Sequence, residues 1–216
     1  MKDKEEILFE NEFFLLANKP EGIPVHETKD PNRPDFTRYL INKYGYMELR
    51  TANRLDLGTS GIVVFGKDNS INKELDEALK NSIKEYLFLA IGIPDWKEIR
   101  HECFLKDGNK KVTVVRSGGK KAITDFTMLE YDVSKNIFLG QANLITGRRH
   151  QIRIALASSG FPILGDIVYG NKIEKFTRMF LHAYHITLVW RGEKVDIKCP
   201  LPETFHHIFP SSRLYI

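Results

Sequence analysis

Cysteine is scarce: two in 216 residues, Cys103 and Cys199, far apart and in no Cys-x-x-Cys spacing. That is no disulfide framework; it reads as two buried, reduced thiols. Long hydrophobic runs are missing too, and the most apolar stretch near the N-terminus, Phe13 to Ala17, falls far short of a bilayer span. The opening Met1-Lys2-Asp3-Lys4-Glu5-Glu6 is charged where a signal peptide would carry its apolar segment. The expectation is a cytoplasmic protein with no membrane partner. No fixed-period repeat and no low-complexity tract is visible, which excludes a solenoid. Nor is there a strong excess of one charge: 32 Lys and Arg against 28 Asp and Glu leave +4 and a pI near 8.9. Such a balance suits a polyanionic partner without singling one out.

What is present is the makeup of a folded enzyme or binding protein, 42% hydrophobic and 28% charged. The length allows one domain with a substantial core, and nothing resembles an interdomain linker, so a single domain over 1–216 is expected. Glu12 to Ala17 reads as a strand stopped by Asn18-Lys19-Pro20-Glu21-Gly22. Pro34 to Tyr44 reads as a helix with Pro34 at its first position and Phe36, Tyr39, Leu40 and Tyr44 on one face. Gly61 to Phe65 is a buried strand, and Asn69 to Asn81 an amphipathic helix with Ile71, Leu75, Ala78 and Leu79 on its apolar side. Strands follow at Tyr86 to Ile93, Val112 to Arg116, Ile123 to Tyr131 and Ile137 to Ile145. His150 to Ser159 is helical, ended by Gly160 and Pro162. Strands at His182 to Trp190 and Lys194 to Lys198, then a short helix at Glu203 to Ile208, close the chain. Strands outnumber helices and run consecutively, which predicts an α+β fold with a mixed, mostly antiparallel sheet flanked by helices.

Three polar segments punctuate the ends of apolar elements, where functional loops concentrate. They are Asn18 to His26, Asn53 to Gly61, and Thr146 to Arg153. In the second, Asp56 precedes a Gly-Thr-Ser-Gly turn into a buried strand; taken alone it reads more readily as an Asx-turn or helix N-cap than as a catalytic group. Ser60 does not make a nucleophile elbow, because Ile62 stands where the last glycine would be. In the third, Arg148, Arg149 and His150 gather at a helix start that suits a phosphate or carboxylate, with Arg153 one turn further in. A pairing of Arg153 with a buried aspartate would keep that aspartate ionised, as a nucleophile requires. His182 and His185 invite a zinc reading, but positions i and i+3 of a strand face opposite sides and no cysteine or correctly spaced glutamate accompanies them. No metal is expected.

The segments resemble the motifs of RluA-type RNA pseudouridine synthases. Asn53-Arg54-Leu55-Asp56-Leu57-Gly58-Thr59-Ser60-Gly61 is similar to the family's His-Arg-Leu-Asp-x-x-Thr-Ser-Gly signature, and Asn18 to His26 to its Asn-Lys-Pro-x-Gly-x-x-Val-His motif. Lys84-x-Tyr86, Gly119-Lys120-x-Ala122-x-Thr124, Thr146-Gly147-Arg148-x-His150-Gln151-Ile152-Arg153, Gly165-Asp166 with Tyr169-Gly170, and Leu181-His182-Ala183 follow in family order. The resemblance implies the pseudouridine synthase fold and a cofactor-free isomerase that turns a uridine of structured RNA, tRNA or rRNA, into pseudouridine. It implies Asp56 as the nucleophile on a flipped-out base, Arg153 as its ion-pair partner and Tyr86 as the ring that packs on the base. Arg54, Leu181, Arg148, His150 and Gln151 become the substrate-binding candidates, Arg54 filling the vacated stack and Leu181 lining the base pocket. Extruding a base costs a few kcal/mol, and an aromatic platform recovers ~1–3 kcal/mol of it.

Departures are local. Asn53 replaces a usual His, Ala155 and Phe161 replace frequent histidines, and Phe88 and Ala90 depart from the tyrosine strand's usual residues. The first family motif begins by Asn18, so no N-terminal RNA-binding domain of the S4 type is expected, and Lys110, Lys111, Lys120, Lys121, Arg148 and Arg149 are candidates for phosphate contacts. A monomer is expected. The rival reading is a non-catalytic RNA-binding or RNA-chaperone protein of the same fold; retention of Asp56, Tyr86 and Arg153 weighs against it.

Overall fold

The computed structural model describes residues 5–210, apart from 29, 31, 110, 171–175 and 177; Lys110, a candidate for phosphate contact, lies outside the described residues. In chain order the elements are β1 (Ile7–Glu10), β2 (Phe14–Lys19), α1 (Phe36–Tyr44), β3 (Arg50–Thr51), β4 (Ser60–Gly66), a short 3-10 turn (Asn69–Ile71) running into α2 (Asn72–Lys80), and β5 (Ile83–Ile91). There follow β6 (Glu98–Asp107), β7 (Val112–Val115), β8 (Lys120–Asp132), β9 (Ile137–Leu144), α3 (Gln151–Ser158), β10 (Leu181–Trp190), β11 (Glu193–Lys198) and α4 (Glu203–Ile208). The class is α+β, as the sequence predicts.

The residues form two compact units: one comprises the chain up to Lys84 with Ala183–Pro200, the other Glu85–His182 with the chain from Leu201. In the first unit β2 pairs antiparallel with β1 and β4, β3 pairs with β4, and β11 pairs antiparallel with β10. Every residue of β4 is buried. Ile62 and Val64 join Phe14, Leu16, Leu188 and Trp190 in a core that α2 covers with Leu75 and Leu79. Phe65 lies near the ring of Phe36 on α1. A strand covered on both faces has no polar alternation, hence the unbroken apolar run Ile62 to Phe65. Gly61 opens this strand at φ +107, and a Cβ there would stand 2.3 Å from the Ala183 carbonyl oxygen, so only glycine fits.

In the second unit the order is β5–β9–β8–β6–β7, all antiparallel. α4 covers one part of it through Phe205, which joins Leu89, Leu139, Leu164 and Phe180. α3 covers another, with Ile154 on Leu105, Val112 and Ala122. Phe88, Phe126, Phe138, Trp96 and Phe161 meet edge to face, and Gly140 leaves room for the Phe88 ring. Each fully buried Leu or Phe contributes about 1.5–3 kcal/mol.

The structure departs locally from the sequence expectations, which include neither of the short strands β1 and β3. Pro34 is not the first helical residue: Asp35 is the N-cap, accepting from the Arg38 amide at 2.9 Å, and Pro34 precedes it. The Asn69 to Asn81 helix is split, because the Asp68 carboxylate caps the Ser70 amide and tightens the first turn to 3-10 geometry. Strand β6 has no counterpart in the sequence reading. Its solvent side is held by cross-strand ion pairs, Arg100–Asp125 at 2.7 Å and Glu102–Lys121 at 2.9 Å, so charge stands where apolar alternation would mark a strand.

The N-terminal segment is tied to α1 by Glu6, whose carboxylate accepts from Lys43 Nζ, the Tyr39 hydroxyl and the Tyr44 hydroxyl. Burial alone would raise its pKa, but these hydrogen bonds outweigh it and bring the carboxyl down to about 2. A carboxyl depressed from 4.5 to about 2 stabilises the fold above the unfolded value, and that stability is lost as pH falls toward 2. Glu6→Gln is expected to cost about 1–2 kcal/mol at pH 7, several degrees in Tm. In thermal melts across pH, the gap from wild type should close as pH approaches 2.

Candidate active site

In the first unit the site is built around a buried lysine. Lys19, at the end of β2, has 0% exposure, and its ammonium donates to the carbonyls of Pro20 at 2.7 Å, Ile23 at 2.9 Å and Leu57 at 3.5 Å. The Leu57 carbonyl also accepts from the Gly22 amide at 2.9 Å. Two segments 38 residues apart are thus tied at the residue beside Asp56. The loop turns through a bond from the Thr59 amide to the Asp56 carbonyl, 3.1 Å, and Leu55, Thr59 and Ser60 are buried around it. Asp56 itself is half-buried, with Arg54 and Leu57 exposed on either side. Asn53, in the place of the family's usual His, docks the loop on β4, its Oδ1 accepting from the Val64 amide at 2.7 Å.

In the second unit Tyr86 lies on β5 opposite Ala142 of β9 and is buried. Leu181, at the start of β10, is also buried. Arg153 lies on α3, 7% exposed, and is gripped side-on by Asp166: Nε to Oδ2 at 2.7 Å, Nη2 to Oδ1 at 2.9 Å. Burial would raise the Asp166 carboxyl, but the Arg153 bonds and charge and the amides of Val168 and Tyr169 hold it below the ordinary carboxylate range. The Arg153 guanidinium sits 5.2 Å from the Tyr169 ring centre.

The remaining substrate-binding candidates sit around the start of α3. His150 takes φ +54 as the residue before the helix, and its Nδ1 lies 2.9 Å from the Tyr169 hydroxyl. Gln151 is 3% exposed. Its Oε1 accepts from Thr146 Oγ1 and the Arg148 amide, and its Nε2 donates to the Ile123 carbonyl and Thr124 Oγ1. Those four bonds are made inside the fold, and they hold the Thr146–Arg148 turn. Arg148 and Arg149 are braced on carbonyls, Arg148 Nε on Lys121 and Arg149 Nη1 on Gly108, both at 3.0 Å. Exposed Lys111, Lys120 and Lys121 belong to the same unit.

In the sequence, Lys19 and Asp166 stand out only as members of motifs. Burial gives them their roles, and the sequence signal for it is a lysine or aspartate inside a motif with glycine or proline close by. Among the described residues, no three His, Cys, Asp or Glu side chains are gathered as a metal site would need. His182 packs against the Phe205 ring, and His185 is bonded to Asp196 of β11. Cys103 and Cys199 are free thiols, the first half-buried and the second buried, and burial pushes Cys199 up to about 12. No helix among the described residues is long and apolar enough to cross a membrane.

Comparison with known proteins agrees with this assembly of motifs. A family described as RNA pseudouridylate synthase matches residues 13–158. The chain is 32% identical over 211 residues to an uncharacterized RNA pseudouridine synthase, YhcT, of Bacillus subtilis, covering 91% of this chain and 68% of that one. It is 31% identical over 215 residues to the ribosomal large subunit pseudouridine synthase C of Rickettsia bellii, covering 94% and 71%. Among solved structures, human RNA pseudouridylate synthase domain containing 1 shares the fold with a TM-score of 0.80 at 21% identity, over 91% of this chain and 83% of its own.

The Lys19 contacts generate a stability prediction. Lys19→Met fills the same volume but loses the bonds to the Pro20, Ile23 and Leu57 carbonyls, and a hydrogen bond to a charged group is worth ~1.5–3 kcal/mol. The urea midpoint should fall by the equivalent of about 2–4 kcal/mol. An unchanged midpoint would mean the ammonium does not hold the loop.

Proposed function

Since the chain belongs to the RNA pseudouridylate synthase family, isomerases that convert uridine in RNA to pseudouridine, we propose that Asp56 is its nucleophile and acts on a uridine flipped out of structured RNA. The observation that carries this reading is the mounting of Asp56. The Leu57 carbonyl is fixed by Lys19 and Gly22, and Leu55, Thr59 and Ser60 are buried, while the carboxylate-bearing residue remains half-exposed. A nucleophile needs that combination of a rigid seat and access.

In the reaction the C1′–N1 glycosidic bond breaks, the uracil turns in place, C5 bonds to C1′, and the C5 hydrogen leaves as a proton while N1 gains one. Asp56 assists departure of the base. Arg153 supplies the positive charge that keeps the carboxylate ionised in a desolvated setting. Tyr86 packs on the uracil and, with Leu181, keeps water away while the base is detached. Arg54, exposed beside Asp56, occupies the gap left in the RNA stack, and Arg148, Arg149 and His150 meet the backbone. The whole of 1–216 acts as one catalytic domain. Relatives named for the ribosomal large subunit make rRNA the first substrate to test, with tRNA second.

Wild type and Asp56→Ala incubated with large-subunit rRNA and with bulk tRNA, then mapped by carbodiimide-dependent reverse-transcription stops, test this directly. A stop made by wild type should fall at least about 10³-fold in rate with Asp56→Ala. Binding without any stop on either RNA would favour the RNA-chaperone reading. Tyr86→Leu should lower kcat/KM by about 10–100-fold, the value of one lost base stack, while Tyr86→Phe keeps most of the rate.

A further inference from the structure

We infer that Asp166, presented by the turn from Gly165 to Gly170, is a positioning residue for Arg153; this rests on the reading of Arg153 as the charge partner of Asp56. The turn is built so tightly that it orients the carboxylate by itself. Gly165 has φ +77, and a Cβ there would stand 1.8 Å from the Arg178 carbonyl oxygen, while one on Gly170 would stand 2.5 Å from the Asp166 carbonyl oxygen. Asp166 Oδ1 accepts from the Val168 amide at 2.9 Å and the Tyr169 amide at 3.2 Å. The aspartate is therefore set by its own backbone before Arg153 meets it.

Arg153 then has little freedom. Its Nε–Nη2 edge is committed to Asp166. One face lies near the Tyr169 ring, and that ring is itself held: its hydroxyl accepts from the Val112 amide at 2.7 Å and lies 2.9 Å from His150 Nδ1. A guanidinium held on its Nε–Nη2 edge addresses any further anion only through the hydrogens left on Nη1 and Nη2. Without Asp166 the same side chain would swing among rotamers, and small misplacements of a charge partner cost rate steeply.

The test is steady-state kinetics on an RNA that wild type modifies, followed by tritium release from uridine labelled at C5. Asp166→Asn should lower kcat by about 10–100-fold and leave KM within about twofold. In an Arg153→Lys background the same change should cost less than about twofold, because a point charge has no side-on edge to lose. An unchanged kcat, a loss in KM alone, or an equal loss in both backgrounds would overturn the inference. Should Asp166→Asn fail to fold, Tyr169→Phe keeps the ring and removes its tethers. It should lower kcat about 3–10-fold in wild type and have no effect in Arg153→Lys, and a wild-type kcat would count against the inference. Asp56→Ala and Arg153→Lys run alongside: full activity in either rejects the underlying reading, whereas their impairment with a normal Asp166→Asn rejects the inference alone.

Discussion

A lysine ammonium with no surface exposed must be met by acceptors that are themselves immobile, because an unmet buried charge costs more than a domain's margin of stability. In this chain Lys19 donates to the backbone carbonyls of Pro20, Ile23 and Leu57. That requirement organises the functional end of the first unit. It folds the Asn18 to His26 segment back on itself and brings the Asp56 loop against it. The entry to β4 is then closed by Gly61, where no side chain fits beneath Ala183. The half-exposed Asp56 stands on a frame whose neighbours are committed to the fold.

The second unit solves the same problem with opposite charges. Arg153 and Asp166, both nearly without exposure, answer each other side-on, and the leftover capacity of the carboxylate is taken by two amides of its own turn. Around them Tyr169, His150 and Val112 form a hydrogen-bonded brace, and Gln151 pins the loop that carries Arg148. Buried polar groups of this kind are costly when partly satisfied and rigid when fully satisfied.

Much of the secondary structure was legible because it follows apolar periodicity. The run Ile62 to Phe65, the α2 face with Leu75 and Leu79, and the short α4 all match. β6 was not, because Arg100 and Glu102 replace apolar contacts by ion pairs with partners that only the sheet register supplies. Pro34 misled by one position, since Asp35 competes better for the cap. The candidate site residues Asp56, Tyr86 and Arg153 stand out through motif resemblance, not through periodicity. Gln151 stands among the substrate-binding candidates, and its four internal bonds give this motif residue a place in the fold that the sequence does not show.

By itself the sequence determined the α+β class, the family and the candidates for its chemistry, because strand and helix patterns and short motifs are local properties of the chain. Tertiary structure alone decided that Lys19 reaches Leu57, that Arg153 is met by Asp166, that Asn53 docks on Val64 and that Gln151 turns inward. Each is a choice among several acceptors the chain offers, and burial makes that choice. Once water is removed, a charged or amide group must take whichever partner the packed backbone holds within bonding distance, however far away it lies in the sequence.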